Sequence, residues 1–168
     1  MIDYRHATPA DLPAIDALFR ESFVATFGHL YSAENLAAFL GKFTPEAWTH
    51  EYAKPGNLFR LAEDGDGLVG YCAIGQVTLP IEPGPPAIEL HQLYLAERGK
   101  GSGAAQSLMT WALETARTQD FARIVLSVFV DNHRAKRFYE RYGFVDRGPY
   151  TFMVGDHADE DRLMSLTL

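Results

Sequence analysis

The stretch Arg98-Gly99-Lys100-Gly101-Ser102-Gly103 has the residue types and spacing that most directly imply chemistry. It follows a strand-like run, Ile88 to Leu95, and opens a helix-like run, Ala104 to Gln119. Glycines at such a junction let backbone N–H groups turn toward an anion, and the helix N-terminus adds positive partial charge. A phosphate-bearing ligand is therefore expected, and three ligands compete. A nucleoside-triphosphate loop needs G-x-x-x-x-G-K-[ST], but Lys100 is followed by Gly101, with no Ser or Thr at the magnesium position. A dinucleotide fingerprint is matched by Gly99, Gly101 and Ala104. Ala96 and Glu97 intervene after the strand, however, and the matching acid, Asp131, comes too late. The third ligand is the pyrophosphate of coenzyme A.

Other reactive side chains are few. Glu89 and His91 share a strand face by alternation, and an imidazole of pKa about 6.5 suits base work. Both also read as ordinary polar residues near a sheet opening. The six histidines show no metal spacing, and the lone Cys72 can build neither a disulfide framework nor a thiolate cluster. Cys72 sits in an apolar strand pattern and reads as a small core residue. The acidic stretch Gly155 to Asp161 lacks the EF-hand ligand pattern and reads as a solvated hairpin tip.

The elements that must position these groups follow from periodicity. Ile2 to Ala7 reads as a strand. A helix starts at Thr8-Pro9-Ala10-Asp11, with Leu12, Ile15, Leu18, Phe19, Phe23 and Phe27 on one face. Ser32 and Thr44-Pro45 are further helix starts. Asn57 to Glu63 and Leu68 to Val77 read as strands joined by the turn Asp64-Gly65-Asp66-Gly67. The proline-rich Leu79 to Pro86 is an extended loop. Ile124 to Val130 has the continuous apolar character of a central strand. Asn132 caps a helix that Gly143 ends. Tyr150 to Val154 and Leu163 to Leu168 read as two last strands. The order β, helices, hairpin, β-α-β-α-β-β predicts a mixed α/β sheet with helices on its faces.

At 168 residues the chain is expected to form one domain, residues 1–168. Hydrophobic residues at 47% supply a core, and no apolar run is long enough for a bilayer. The start lacks the pattern of a signal peptide, so a cytoplasmic location is expected. A net charge of −7 argues against nucleic acid and anionic membrane as partners and suits a cationic substrate.

Two motifs in order decide among the phosphate ligands. Arg98-x-x-Gly101-x-Gly103 resembles the R/Q-x-x-G-x-G/A signature of the GNAT superfamily of N-acetyltransferases. Asn132-His133-Arg134-Ala135-Lys136-Arg137-Phe138-Tyr139, continued to Gly143-Phe144, resembles that superfamily's N-x-x-A-x-x-F-Y-x-x-x-G-F element. The opening Glu21 to Phe27 with Ser32 to Leu36, and the ending Phe152 to Asp156 with Leu163 to Leu168, resemble the PaiA-type polyamine acetyltransferases. The resemblance implies a mostly antiparallel sheet of about seven strands flanked by helices, with a splayed central parallel pair.

It also implies transfer of acetyl from acetyl-CoA, with no metal, to a primary amine of a small molecule, a polyamine in the narrower branch. The amine attacks directly, through a tetrahedral intermediate. Glu89 would be the base, directly or through a water, with His91 as rival. The Leu93 N–H would meet the oxyanion, and Tyr139 would protonate the departing thiolate. Leu93, Tyr94 and Leu95 would pair with the pantetheine arm, although Tyr94 also reads as core packing. Arg98, Gly99, Lys100, Gly101, Ser102, Gly103 and Ala104 would hold the pyrophosphate, with Asn132 and Tyr139 also contacting the cofactor. One of Arg134, Lys136, Arg137 and Arg141 would reach the ribose phosphate. The acceptor pocket would be built by the helical first third and the C-terminal hairpin. A protein N-terminal or lysine acetyltransferase, a non-catalytic acyl-CoA sensor and a homodimer stay open, with a dinucleotide redox enzyme more distant.

Overall fold

Short polar side chains start the helices where the sequence places them. In the computed structural model, which describes residues 1–168, Asp11 Oδ2 accepts from the Thr8 N–H (2.7 Å) and hydroxyl (2.9 Å). This turn leads into α1 (Leu12–Phe27). Ser32 Oγ accepts from Asn35 N to cap α2 (Ala33–Leu40), and Thr44 Oγ1 accepts from Ala47 N to cap α3 (Pro45–Ala53), each at 3.1 Å. α4 (Ala104–Thr118) opens at Gly103, and α5 (His133–Arg141) is capped by Asn132 Oδ1 accepting from Ala135 N at 3.3 Å.

Seven strands form one sheet: β1 (Asp3–His6), β2 (Leu58–Asp64), β3 (Gly67–Gly75), β4 (Ala87–Leu95), β5 (Arg123–Phe129), β6 (Val145–Val154) and β7 (His157–Thr167). Their order is β1-β2-β3-β4-β5-β7-β6. Every neighbouring pair is antiparallel except β4 with β5. This is the mixed sheet that the order of elements predicts, with the mostly antiparallel pairing and central parallel pair that the resemblance implies.

Each sheet face carries its own apolar core. On one, Leu108, Met109, Ala112 and Ala116 of α4 pack on Val69, Cys72, Ile74, Ile88, Ile124 and Leu126. On the other, Ile15, Phe19, Phe23, Phe39 and Trp48 from α1 to α3 pack on Phe59, Leu61, Tyr71 and Ala73. Each fully buried Val, Leu, Ile, Phe or Met among them contributes about 1.5–3 kcal/mol. Cys72 is buried as expected, and burial pushes its thiol pKa up, so it is an inert core group.

Two features position the site. The parallel register of β4 and β5 runs only from Ala87 opposite Arg123 to Glu89 opposite Val125. Beyond that the strands part. On the other edge of β4, Gln92 pairs with Ala73 and Leu90 with Ile74, which leaves His91 as the extra residue of a bulge.

The C-terminal hairpin corrects one expectation. The acidic stretch is not a solvated tip: only Gly155 and Asp156 turn, and Asp159 and Asp161 lie inside β7. Because β7 is held between β5 and β6, with Asp161 opposite both Phe129 and Tyr150, its alternate side chains must point inward.

Candidate active site

Where β4 and β5 part, a cavity of about 810 Å³ opens. Its wall takes Leu90 to Leu95 from β4, Leu126 to Phe129 from β5, the glycine loop, and Asn132, Ala135 and Tyr139 from the α5 region. The remainder comes from α1, the turn after it, α2 and the C-terminal hairpin, including Phe19, Phe23, Tyr31, Phe39 and Phe152.

The glycine loop is shaped for an anion. Gly101 and Gly103 adopt φ of 79° and 89°, a region that side-chain-bearing residues avoid. Gly99 lies against β3, where an added Cβ would stand 2.6 Å from the Val69 carbonyl oxygen. The amides of Gly101, Gly103, Ala105 and Gln106 have no backbone acceptor. Ser102 and Ala104 are committed to the loop itself: Ser102 N (3.3 Å) and Oγ (2.6 Å) donate to the Gly99 carbonyl, and Ala104 N donates to Ser102 Oγ (3.3 Å). The free donors therefore extend one turn further into α4 than the sequence motif indicates.

The cationic side chains divide. Arg98 is turned away from the cavity: it pairs with Asp64 and donates to the Leu68 carbonyl (3.1 Å), so its side chain braces the β2–β3 hairpin instead of reaching toward the loop. Lys100 pairs with Glu97 and lies on the cavity wall, as do Arg134 and Arg141. Lys136 reaches back to the Val130 carbonyl (3.4 Å), and neither it nor Arg137 lines the cavity.

Tyr139 is brought to the cavity by α5 and wedged against Phe138 and Phe144. Burial, with Cys72 and Tyr94 nearby, pushes its hydroxyl pKa up, so it stays protonated across the working pH range. Leu93 lies on β4 opposite Cys72, past the point where β5 leaves the ladder. Tyr94 packs edge-on against Phe19 and beside Tyr71 while also facing the cavity. The Leu95 carbonyl accepts from Ser22 Oγ at 2.8 Å.

Glu89 has another employment than the one expected of a base. It is 6% exposed and is not part of the cavity wall. Its Oε2 accepts from Thr78 N (2.6 Å), Thr78 Oγ1 (3.0 Å) and Leu79 N (3.3 Å), while Oε1 faces His91 Nδ1 at 3.2 Å. Burial raises the carboxyl pKa, but the His91 and Thr78 hydrogen bonds outweigh it, and the net direction is down. A carboxylate held low by several donors is a weak proton acceptor. It anchors the proline-rich loop to β4. His91 does line the cavity, but its Nε2 is buried without a partner.

The sequence reading missed the acidic residues of the wall. Asp159 and Asp161 are each 7% exposed, and both line the cavity. Asp159 accepts from the Tyr31 hydroxyl through Oδ2, and its Oδ1 meets His157 Nε2 at 3.1 Å. Burial raises the Asp161 carboxyl to about 6; the Ser127 hydroxyl opposes this and the Asp159 charge adds to it. The signal was present as His157-x-Asp159-x-Asp161, the period-2 spacing of one strand face.

The model of the acetyltransferase (GNAT) family matches residues 12–144, which takes in the whole of the glycine loop, the splayed strands and α5. The chain belongs to the GNAT acetyltransferase family. It is 31% identical over 155 residues to an uncharacterized N-acetyltransferase of Mycobacterium bovis, covering 92% of this chain and 96% of that one. It is 29% identical over 160 residues to an uncharacterized N-acetyltransferase of Lactobacillus delbrueckii subsp. lactis, covering 94% and 92%. Among solved structures, a PaiA N-acetyltransferase of Thermoplasma acidophilum in complex with coenzyme A superposes with a TM-score of 0.80 at 20% identity, over 100% of this chain and 99% of that one.

This GNAT protein is an N-acetyltransferase that uses acetyl-CoA as its acyl donor. Its residues fit that donor on two counts. Free amides cluster at the N-terminus of α4, where a pyrophosphate is best received. The β5-facing edge of β4 has lost its partner strand beyond Glu89, so an extended amide-bearing arm can take that place.

Proposed function

We propose that this acetyltransferase acts on the primary amine of a small cationic molecule, with polyamines of the PaiA-type branch as the substrate class. The observation that supports this most is the continuity of one cavity. It runs from the glycine loop, past the parting of β4 and β5, to a chamber walled by Phe23, Phe27, Tyr31, Phe129, Asp159 and Asp161. A volume of about 810 Å³ lies within the range of small-molecule sites. Aromatic faces and carboxylates attract ammonium groups, and the net charge of −7 favours their approach.

In this reading the amides of Gly101, Gly103, Ala105 and Gln106 hold the pyrophosphate, with Lys100, Arg134 and Arg141 at hand for its charge. The Leu93 N–H faces the developing oxyanion. Tyr139, protonated at working pH, gives a proton to a thiolate whose conjugate thiol has a pKa of about 8–9. Asn132 both caps α5 and stands at the cavity wall beside the donor.

Free-thiol release with acetyl-CoA over polyamines, aminoglycosides, amino acids and peptides with a free N-terminus tests the substrate class. Spermidine and related amines are expected to show the highest kcat/KM. A clear preference for peptides would overturn the small-amine reading and favour a protein acceptor. Tight acetyl-CoA binding without turnover on any amine would favour the sensor alternative.

A further inference from the structure

We propose that Asp161 takes the proton from the acceptor ammonium, and that Asp159 beside it anchors a second positive charge of the same substrate. This rests on the small cationic amine reading above and deepens it.

The first observation is that both carboxylates are buried in the cavity wall and neither pairs with a lysine or arginine. An ionised group taken out of water is costly unless a partner supplies the opposite charge. Here the missing partner is a cation that enters from the cavity.

The second is that the two acids differ in what they have to spare. Asp159 is engaged at both oxygens, by the Tyr31 hydroxyl and by His157. Asp161 is met by no donor in hydrogen-bond geometry; only the Ser127 hydroxyl lies near enough to bear on it. It is thus a buried acceptor aimed into the cavity with lone pairs free. The groups that face it are Asp159 on its own strand, Tyr31 from the turn after α1, Tyr94 from β4 and Ser127 from β5, with His157 beyond Asp159. Phe27 meets Phe129 edge-on at 5.9 Å, and Phe23 stacks on Tyr31 at 6.1 Å, so rings enclose the chamber. Such faces favour an alkylammonium over a hydrated metal ion.

The third is the contrast with Glu89, whose four donors hold its proton affinity down outside the cavity. Asp161, poor in donors and crowded by a second acid, is the stronger base of the two.

The step balances without another reactant. An N–H proton of the ammonium passes to an Asp161 oxygen, freeing the nitrogen lone pair. That pair forms the C–N bond at the acetyl carbonyl while the carbonyl π electrons go to oxygen; as the carbonyl re-forms, the C–S bond breaks and its electrons go to sulfur. The second N–H proton ends on sulfur by way of Tyr139, and Asp161 returns its proton to water in the cavity.

The test is thiol-release kinetics from about pH 5 to about pH 9 with spermidine and with propylamine as probes, joined to calorimetric titration of spermidine. Wild type is expected to show an acidic limb in kcat/KM with its midpoint near 6. Asp161→Asn should lower kcat/KM by about 100-fold, abolish that limb, and leave acetyl-CoA affinity within about twofold. Asp159→Asn should raise KM for spermidine more than for propylamine. Spermidine affinity of the wild-type protein should fall as pH drops through 6, a readout that needs no variant to fold. Persistence of the limb in Asp161→Asn, its loss in Glu89→Gln instead, or spermidine affinity indifferent to pH would each overturn the proposal. Wild type that binds spermidine with this pH dependence yet acetylates no small amine would overturn the substrate reading and spare the site.

Discussion

Burial lifts the Asp161 carboxyl from its ordinary 3.8 to about 6, and this has a consequence for stability as well as chemistry. The folded state holds this proton more tightly than the unfolded chain, so stability is lost as pH rises from 3.8 through 6 and the deficit is complete above that. Asp161→Asn should therefore stabilise the protein at pH 7.5 by about 1–3 kcal/mol, the lower end reflecting water in the cavity, with the gain gone below about pH 4. Urea unfolding at the two pH values checks this. Glu89 has the opposite sign: its pKa is lowered, so its contribution is present above 4.5 and lost as pH falls below it. Glu89→Gln should destabilise the fold by about 1–2 kcal/mol through the Thr78–Leu79 anchor and leave the acidic limb in place. Tyr139→Phe should cut kcat by about 10- to 100-fold with acetyl-CoA affinity held within about twofold. Equal losses in both would restrict Tyr139 to binding. The helix cap and the 3.6-residue period placed Tyr139 on the apolar face of α5, the resemblance gave it the acid role, and the fold sets it at the cavity wall. It could not tell Glu89 from Asp161, because proton affinity depends on donors that come from other elements.

Elements decide how the donor is received. The Gly99 turn is pressed against the Val69 carbonyl, and any Cβ there must displace backbone. Gly99→Ala should raise KM for acetyl-CoA several-fold while leaving the acidic limb unchanged, a result that separates donor binding from acceptor chemistry. The start of α1 is clamped differently: Arg5 bridges Asp11 (2.8 Å) and Glu63 (2.7 Å), tying the first helix to β2. Helix starts were legible because Ser32, Thr44 and Asn132 act on their own next turn. The direction of the Arg98 side chain was not legible, for the converse reason. Its partner Asp64 lies in the β2–β3 hairpin, and a motif match carries no information about where an arginine side chain turns. The extent of β7 was equally hidden. Charged residues depress strand expectation locally, and only its place between β5 and β6 makes Asp159 and Asp161 part of a ladder.

At the scale of the whole molecule, the proposed cationic substrate would meet both a charge of −7 and an acidic chamber. Raising ionic strength from about 20 to about 200 mM should lower kcat/KM for spermidine several-fold, and less for propylamine, as screening removes long-range attraction. The sequence by itself determined the family-defining parts: the order of elements, the αL glycines before α4, the capped α5 carrying Tyr139, and the apolar faces of both cores. Each of these is encoded locally, in spacing and in residues that constrain their own backbone. Only the tertiary structure decided which acids line the cavity. The parting of β4 from β5, the insertion of β7 between β5 and β6, and the packing of α1 and α2 over the opening bring Tyr31, Tyr94, Ser127, Asp159 and Asp161 to one place. Their burial and mutual charge exist nowhere in the linear chain, because low dielectric and missing counter-charges are properties of an assembled wall.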